Sequence, residues 1–158
     1  NASYAVGSKF FLMLGPIFII LLTPMVYTQT KKEIKKNTIN RYGFYYLICG
    51  LPLLIIIYLI KDNIGNLLLS EAYRDGFYII FWIALSFFII TISNLYESIF
   101  YVEQNTKVIM FGNIIAAVIN IILNILLIPF YGVMGAALAT CAGFFTHFIF
   151  IYLNFNRL

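Results

Sequence analysis

The sequence predicts an all-α fold, a polytopic bundle of five transmembrane helices. Hydrophobic residues make up 63% of the 158 positions and charged residues only 10%, against about 45–50% apolar and about 25% charged in soluble domains. The mean hydropathy is +0.96, so there are too few polar side chains to cover a water-exposed surface. The apolar residues also come in long unbroken runs, not in the alternating segments of a membrane barrel. These three observations leave a helical membrane protein.

Five apolar runs are long enough to cross a bilayer, which takes about 20 residues per helix. They predict spans at residues 5–27, 42–60, 76–100, 108–129 and 133–153. The first span contains Pro16 and Pro24 and the second contains Pro52, so both are expected to kink. A turn at residues 129–132 joins the last two spans.

Basic residues near the span ends predict the orientation, because cytoplasmic ends carry the excess of Lys and Arg. Seven basic residues fall at one set of ends and three at the other. Five of the seven lie between the first two spans, which predicts a long cytoplasmic loop containing Lys31, Lys32, Lys35, Lys36 and Arg41. The amino terminus is then outside and the carboxy terminus is cytoplasmic.

The number of spans is odd, the external amino terminus has no signal-peptide pattern, and the first residue is not Met. These features predict a carboxy-terminal transmembrane lobe, or part of one, of a longer polytopic protein. Its expected partners are therefore the lipid bilayer and a missing amino-terminal lobe of the same protein.

Several other classes of function are disfavoured. The net charge of +4 does not indicate nucleic-acid binding, because no basic stripe is interleaved with aromatic residues. Cys49 and Cys141 lie inside apolar runs, apart from any other thiol, and are expected to be buried small side chains. No paired carboxylates, no nucleophile with a base and no phosphate-binding loop occur. No catalytic residue, metal site or cofactor is predicted.

Three carboxamides lie within the fourth span. Asn113, Asn120 and Asn124 are spaced seven and four residues apart, so at about 100° per residue they share one helical face. They are expected either to hydrogen-bond to neighbouring helices or to form the polar wall of a hydrated substrate cavity. The two roles are compatible.

Small residues recur every four positions in the fifth span. Gly135, Ala139 and Gly143 form a small-xxx-small ridge, which allows another helix backbone to approach closely. The ridge predicts helix packing.

Glu97 is the acid embedded in an apolar run, with Ser93 and Tyr101 one turn to either side. An intramembrane acid suggests a coupling or gating role. Because Glu97 lies near the end of its span, it could instead reach the interface or pair with Lys107. Both alternatives stay open.

Two further ionisable residues lie in or beside the spans. His147 has no acid or second His at metal-ligand spacing in its own span, so an interhelical hydrogen bond is expected. Lys9, at the outer entrance of the first span, could snorkel to the headgroups or add positive charge to a cavity that receives a phosphate.

The stretch from Gly112 to Thr140, GNIIAAVINIILNILLIPFYGVMGAALAT, resembles a motif of bacterial polysaccharide-biosynthesis flippases. The pattern is an Asn-rich helix, then Ile-Pro, a two-residue step, Gly, and Gly-Ala-Ala followed by Ala-Thr. Residues 4–24 look like the second helix of that family's carboxy-terminal half. Residues 67–73 resemble its short outer segment, with Ser70 or its neighbour where the family usually has Gly.

The resemblance implies a Wzx-type O-antigen or capsule flippase of the multidrug/oligosaccharidyl-lipid/polysaccharide exporter superfamily. The chain would supply helices eight to twelve of a two-lobe, twelve-helix transporter fold that works by alternating access. The implied substrate is an undecaprenyl-diphosphate-linked oligosaccharide, carried outward across the bacterial cytoplasmic membrane. Of the family's cavity cations, Lys9 is the candidate that this chain offers.

Three other functions are weighed against this one. A lipid II flippase is a close relative in the same superfamily. A multidrug or cation exporter is a more distant one and would be expected to have acidic cavity residues, whereas the spans hold Glu97 alone. A membrane oligosaccharide polymerase needs a large outer catalytic loop, and the longest outer segment, residues 61–75, is too short for that role.

Overall fold

The computed structural model describes residues 2–68 and 77–158, and in these ranges all regular secondary structure is α-helical. The helices are α1 (Ala2–Tyr27), α2 (Lys32–Leu68), α3 (Phe77–Val102), α4 (Thr106–Tyr131) and α5 (Val133–Arg157). All five are long and apolar enough to cross a membrane. The predicted fold class is therefore confirmed. The predicted outer segment at 67–73 and the predicted start of the third span at Gly76 lie wholly or partly outside the described residues.

The basic segment between the first two spans is mostly helix, so the prediction of a long loop there is wrong. α2 begins at Lys32. Lys35 is buried and its Nζ lies 2.6 Å from Glu103 Oε1, just beyond the end of α3. Lys36 Nζ donates to the carbonyl of Asn156 at 3.4 Å. Because these side chains find partners at Glu103 and on α5, the segment is held as a helix at the predicted cytoplasmic end.

The prolines do not end the helices that contain them. α1 continues through Pro16 and Pro24, and α2 continues through Pro52. Neighbouring helices in a membrane bundle can compensate the hydrogen bonds that proline removes.

α3 is the centre of the bundle and packs against each of the other four helices. α1 and α2 pack on α3 and on each other, α5 packs on α3, and α4 rests mainly on α5. An aromatic cluster fills the α1–α2–α3 core, with Phe88 stacked on Tyr46 at 5.2 Å between ring centroids. α4 is the least buried of the five helices, so most of its surface faces away from the bundle.

α4 and α5 form a tight hairpin. A single residue, Gly132, separates them and has a φ of 54°, a conformation that glycine adopts without the usual steric cost. A Cβ at Gly135 would lie 2.6 Å from the Leu127 backbone. A Cβ at Gly143 would lie 3.2 Å from the Ala116 carbonyl oxygen. Ala139, between these two glycines, is fully buried.

The cysteines differ from what their apolar surroundings predict. Cys49 is exposed and Cys141 is half-buried, and neither forms a disulfide. The expected burial is wrong for Cys49 because its face of α2 points away from the other helices. In a membrane-spanning helix, the apolar medium around such a face is lipid.

Candidate functional site

Among the described helices, two polar clefts contain predicted site residues. One, here called the asparagine cleft, has a volume of about 400 Å³ and lies among α1, α3, α4 and α5. Its polar lining consists of Tyr4, Asn113, Asn120, Thr140 and His147. The other, here called the glutamate cleft, has a volume of about 330 Å³ and lies between α1 and α3. Its polar lining consists of Thr23, Tyr27, Asn94, Glu97, Ser98 and Tyr101.

The clefts differ in depth along the membrane normal. Tyr27 and Tyr101, in the glutamate cleft, are at or near the ends of α1 and α3 that are predicted to face the cytoplasm. In the asparagine cleft, Thr140 is seven residues from the opposite end of α5, or about 10 Å at 1.5 Å per residue. Asn113, in the same cleft, is likewise seven residues from the predicted cytoplasmic end of α4. The asparagine cleft therefore lies across the middle of the bundle, and the glutamate cleft lies nearer the predicted cytoplasmic side.

A buried polar contact joins a residue that lines one cleft to a residue that lines the other. His147 Nε2 on α5 lies 3.1 Å from Glu97 Oε1 on α3. His147 Nδ1 lies 2.9 Å from the hydroxyl oxygen of Ser93, one turn before Glu97 on α3. The exposed fractions are 1% for His147, 6% for Glu97 and 0% for Ser93. All three side chains are therefore almost wholly buried, although Glu97 and His147 each line one of the two clefts.

Glu97 thus turns inward, and the alternative in which it pairs with Lys107 is not what the structure shows. Lys107 is exposed on α4. His147 bonds across helices to Ser93, as the sequence predicts, but it also meets an acid that spacing within its own span could not indicate. Since Ser93 and Glu97 are four residues apart, they present both polar groups on one face of α3.

Gly112 makes room for the imidazole and was not singled out from the sequence. A Cβ on Gly112 would lie 3.2 Å from both Cδ2 and Nε2 of His147. α4 therefore packs closely against the edge of the imidazole that faces Glu97. The sequence signal was the glycine that opens the motif stretch, in a helix otherwise rich in larger apolar residues.

The three asparagines do not all line one cleft. Asn113 and Asn120 line the asparagine cleft, whereas Asn124 borders a separate, apolar depression near Pro129. Asn124 Nδ2 donates to Asn120 Oδ1 at 3.0 Å, which is a bond within α4 and not between helices. The buried Oδ1 of Asn124 has no hydrogen-bond partner among the described residues.

Lys9 is exposed on α1 and lines neither cleft. Among the described residues, neither cleft is lined by Lys or Arg. Groups of three or more His, Cys, Asp or Glu that could hold a metal ion do not occur in the described part of the chain. The clefts are therefore polar and largely uncharged, apart from the Glu97–His147 contact.

Comparison with known families adds a direct observation. Residues 10–158 match the family described as lipid II flippase MurJ. The chain belongs to the MurJ family. The predicted kinship with flippases of lipid-linked precursors is thereby confirmed, but the matching family is named for lipid II and not for O-antigen or capsule units.

One relative of this MurJ-family chain is an uncharacterized membrane protein of Methanocaldococcus jannaschii. The two are 30% identical over 145 residues. The match covers 87% of this chain and 28% of the relative, so the chain spans less than a third of that protein's length. No solved structure gives a significant match to the chain.

Proposed function

We propose that this chain is part of a flippase that carries lipid II across the membrane, acting as a transporter and not as an enzyme. The observation that carries the proposal is the match to the lipid II flippase MurJ family, which extends over residues 10–158. The five membrane-crossing helices and the clefts between them are compatible with moving a polar headgroup past the bilayer interior while the lipid tail stays in the membrane.

The asparagine cleft supplies groups suited to a sugar headgroup. Asn113, Asn120 and Thr140 line it from α4 and α5, and carboxamides and hydroxyls both donate and accept hydrogen bonds. Lys9 lines neither cleft. We therefore assign sugar contacts to the asparagine cleft and assign no diphosphate-binding role to Lys9.

The proposal is tested by reconstitution of the intact protein in liposomes that contain fluorescent lipid II. Externally accessible lipid II is measured with a membrane-impermeant reagent that destroys its fluorescence. We expect the fraction of lipid II that the reagent reaches to rise over time above the share held in the outer leaflet. In control liposomes that hold an unrelated polytopic membrane protein, this fraction should stay at the outer leaflet's share. Equal accessible fractions in the two preparations would overturn the proposal.

A second substrate is favoured by the motif between Gly112 and Thr140, which resembles that of polysaccharide-biosynthesis flippases. In that case the cargo is an undecaprenyl-diphosphate-linked oligosaccharide for O-antigen or capsule. The same liposome measurement with such an oligosaccharide in place of lipid II separates the two: preferential movement of the oligosaccharide selects the second substrate.

In cells, depletion of the protein gives an independent test. A flippase defect leaves the lipid-linked precursor on the cytoplasmic face of the membrane. Accumulation on the outer face would instead place the block at a later step, such as polymerisation.

A further inference from the structure

We propose that Glu97, His147 and Ser93 form a proton-carrying site between the glutamate cleft and the asparagine cleft, and that proton movement through it drives the flippase. The second half of this statement rests on the proposed function. The first half concerns the chain alone and has its own measurement.

The placement of the site is the main argument. Glu97 lines the glutamate cleft and His147 lines the asparagine cleft, yet Glu97 Oε1 and His147 Nε2 are only 3.1 Å apart. A proton that reaches Glu97 from one cleft therefore has one short transfer to reach the wall of the other. Chains of Asp, Glu and His within the membrane are the usual form of proton relays in pumps and transporters.

The hydrogen bonding leaves the transfer position available. Nδ1 of His147 lies 2.9 Å from the Ser93 hydroxyl oxygen, and the other ring nitrogen, Nε2, lies beside Glu97. The buried Nε2 has no aligned hydrogen-bond partner in the described part of the chain. A nitrogen that is 3.1 Å from a carboxylate oxygen but out of line becomes a donor after a small rotation of the ring.

The transfer itself balances simply. The imidazolium Nε2 keeps the electron pair of its N–H bond, and a lone pair on Glu97 Oε1 takes the proton. The products are a neutral imidazole and a neutral carboxylic acid, and no other bond changes. In the reverse step, a proton that has arrived at Glu97 passes to Nε2 and regenerates the ion pair. The imidazolium then loses one proton to the asparagine cleft, which His147 lines, and a carboxylate and a neutral imidazole remain.

The surroundings hold few competing groups. From α1, Tyr27 faces the glutamate cleft and Tyr4 faces the asparagine cleft. On α3, Tyr101 shares the glutamate cleft with Glu97. α4 presents Gly112 to the ring. Among the residues lining the two clefts, Glu97 and His147 are therefore the groups that can exchange protons without forming a tyrosinate.

The ligand chemistry favours a proton over a metal cation. Hard cations such as Ca²⁺ and Mg²⁺ take about six or more oxygen ligands, and imidazole nitrogen suits transition metals better. Here one carboxylate faces one imidazole, and the Ser93 hydroxyl is already bonded to that ring. Glu97 Oε1 and His147 Nε2, 3.1 Å apart, can share a proton, but they supply too few oxygen ligands to coordinate a hard cation.

α4 supplies a mechanical link to the site. Because Gly112 contacts the Cδ2–Nε2 edge of the ring, a shift of α4 against α5 changes the space in which the imidazole rotates. Gly112 is thus a positioning residue: it acts through His147. Rearrangement of the asparagine cleft around a substrate would alter the Glu97–His147 geometry through this contact.

The first measurement needs no substrate. The intact protein in detergent is titrated while infrared difference spectra record the protonated carboxyl band. Glu97→Gln is expected to remove one titrating carboxyl, and His147→Gln is expected to move the midpoint of that carboxyl by about one pH unit or more, as for coupled groups. Glu33→Gln, a matched change at an exposed acid on α2, is expected to leave this band in place.

An unchanged midpoint in His147→Gln would show that the two groups do not share a proton and would overturn the site. Gly112→Ala is expected to move the midpoint in part, because its methyl group crowds the ring without changing any charge. The folded state of each variant is checked by circular dichroism and size-exclusion chromatography.

The second measurement uses liposomes with fluorescent lipid II and an imposed pH gradient at zero membrane potential. The wild-type protein and Glu33→Gln are expected to flip lipid II severalfold faster with the gradient than without it. Glu97→Gln and His147→Gln are expected to give equal rates in the two conditions. Gradient stimulation that persists in both variants, or that follows Na⁺ and not pH, overturns the coupling role.

The two measurements separate the two proposals. If the protein moves no lipid II but the infrared titration shows the coupled pair, the proposed function fails and the proton site stands. If lipid II moves but the titration midpoint of Glu97 is the same with and without His147, the proposed proton site fails and the proposed function stands.

Discussion

The Nζ of Lys35 lies 2.6 Å from Oε1 of Glu103, and this ion pair joins the first turn of α2 to the residue that follows α3. The Lys35 side chain is 11% exposed and that of Glu103 is 32% exposed. The pair is therefore partly shielded from water and from salt at the predicted cytoplasmic end of the bundle.

We expect Lys35→Met to lower the stability of the protein. A double-mutant cycle with Glu103→Gln should give a coupling energy on the order of 1 kcal/mol, since exposed pairs give less and shielded pairs give more. The coupling energy is obtained from the unfolding midpoints of the four proteins of the cycle in mixed micelles. Lys32→Met, at an exposed position in the same turn, is the control. Equal effects of the two lysine replacements would contradict the prediction.

The α4–α5 hairpin should tolerate no added atoms at Gly135. Gly135→Ala places a methyl group 2.6 Å from the Leu127 backbone, and overpacking of this kind costs about 1–3 kcal/mol. Gly143→Ala meets its neighbours at 3.2 Å, and the helix propensity of alanine offsets part of the strain. Thermal unfolding in detergent should give a clearly lower unfolding temperature for Gly135→Ala than for Gly143→Ala. The opposite order of unfolding temperatures would show that α5 can shift away from α4.

The Asn120–Asn124 bond should appear as an energetic coupling within α4. Both replacements break the bond: Asn120→Leu leaves Asn124 Nδ2 without its acceptor, and Asn124→Leu leaves Asn120 Oδ1 without its donor. Asn124→Leu, however, also removes a buried oxygen that has no partner among the described residues. We therefore expect Asn120→Leu to destabilise more than Asn124→Leu. The double variant should lose less free energy of unfolding than the two single variants lose together, by roughly 0.6 kcal/mol or more.

The same variants address transport. If the asparagine cleft contacts the sugar headgroup, Asn120→Leu slows lipid II movement beyond any loss of folded protein. Asn124→Leu, outside that cleft, should not. Identical transport by both variants at matched expression would assign these side chains to packing alone.

The predicted orientation can be tested by cysteine labelling in intact cells. In a background of Cys49→Ala and Cys141→Ala, Tyr131→Cys at the end of α4 should react with a membrane-impermeant maleimide added outside. Asn105→Cys, in the turn before α4, should react only after the membrane is permeabilised. Both positions are exposed, so the described helices shield neither of them from the reagent. The reverse labelling pattern would invert the assigned topology.

Run length alone was sufficient to predict the helices, because a bilayer imposes a minimum length on every span. It was not sufficient to place their ends. Residues 32–41 are too polar for a hydrophobic run, yet they form the first turns of α2, because Lys35 and Lys36 find partners at Glu103 and on α5. Tertiary contacts of this kind leave no periodic signal.

The candidate site was predictable in part. An acid within an apolar run singles out Glu97, since an ionised group in lipid is costly, and the spacing of Ser93 and Glu97 places them on one face of α3. The partner could not be inferred, because His147 is 54 residues from Ser93 and only the packing of α3 on α5 brings them together. The role of Gly112 could not be inferred for the same reason, because it depends on contact with the His147 imidazole of α5.

The single-residue turn at Gly132 also has a consequence for biogenesis. The most apolar window of α4 has a mean hydropathy of 2.4, while that of α5 reaches only 1.7. α5 also contains His147, a side chain that is costly to expose to lipid. Because Gly132 alone separates the two helices, the less apolar α5 follows directly on the most apolar helix, and α4 is the nearest surface in the chain against which α5 can bury its polar side chains.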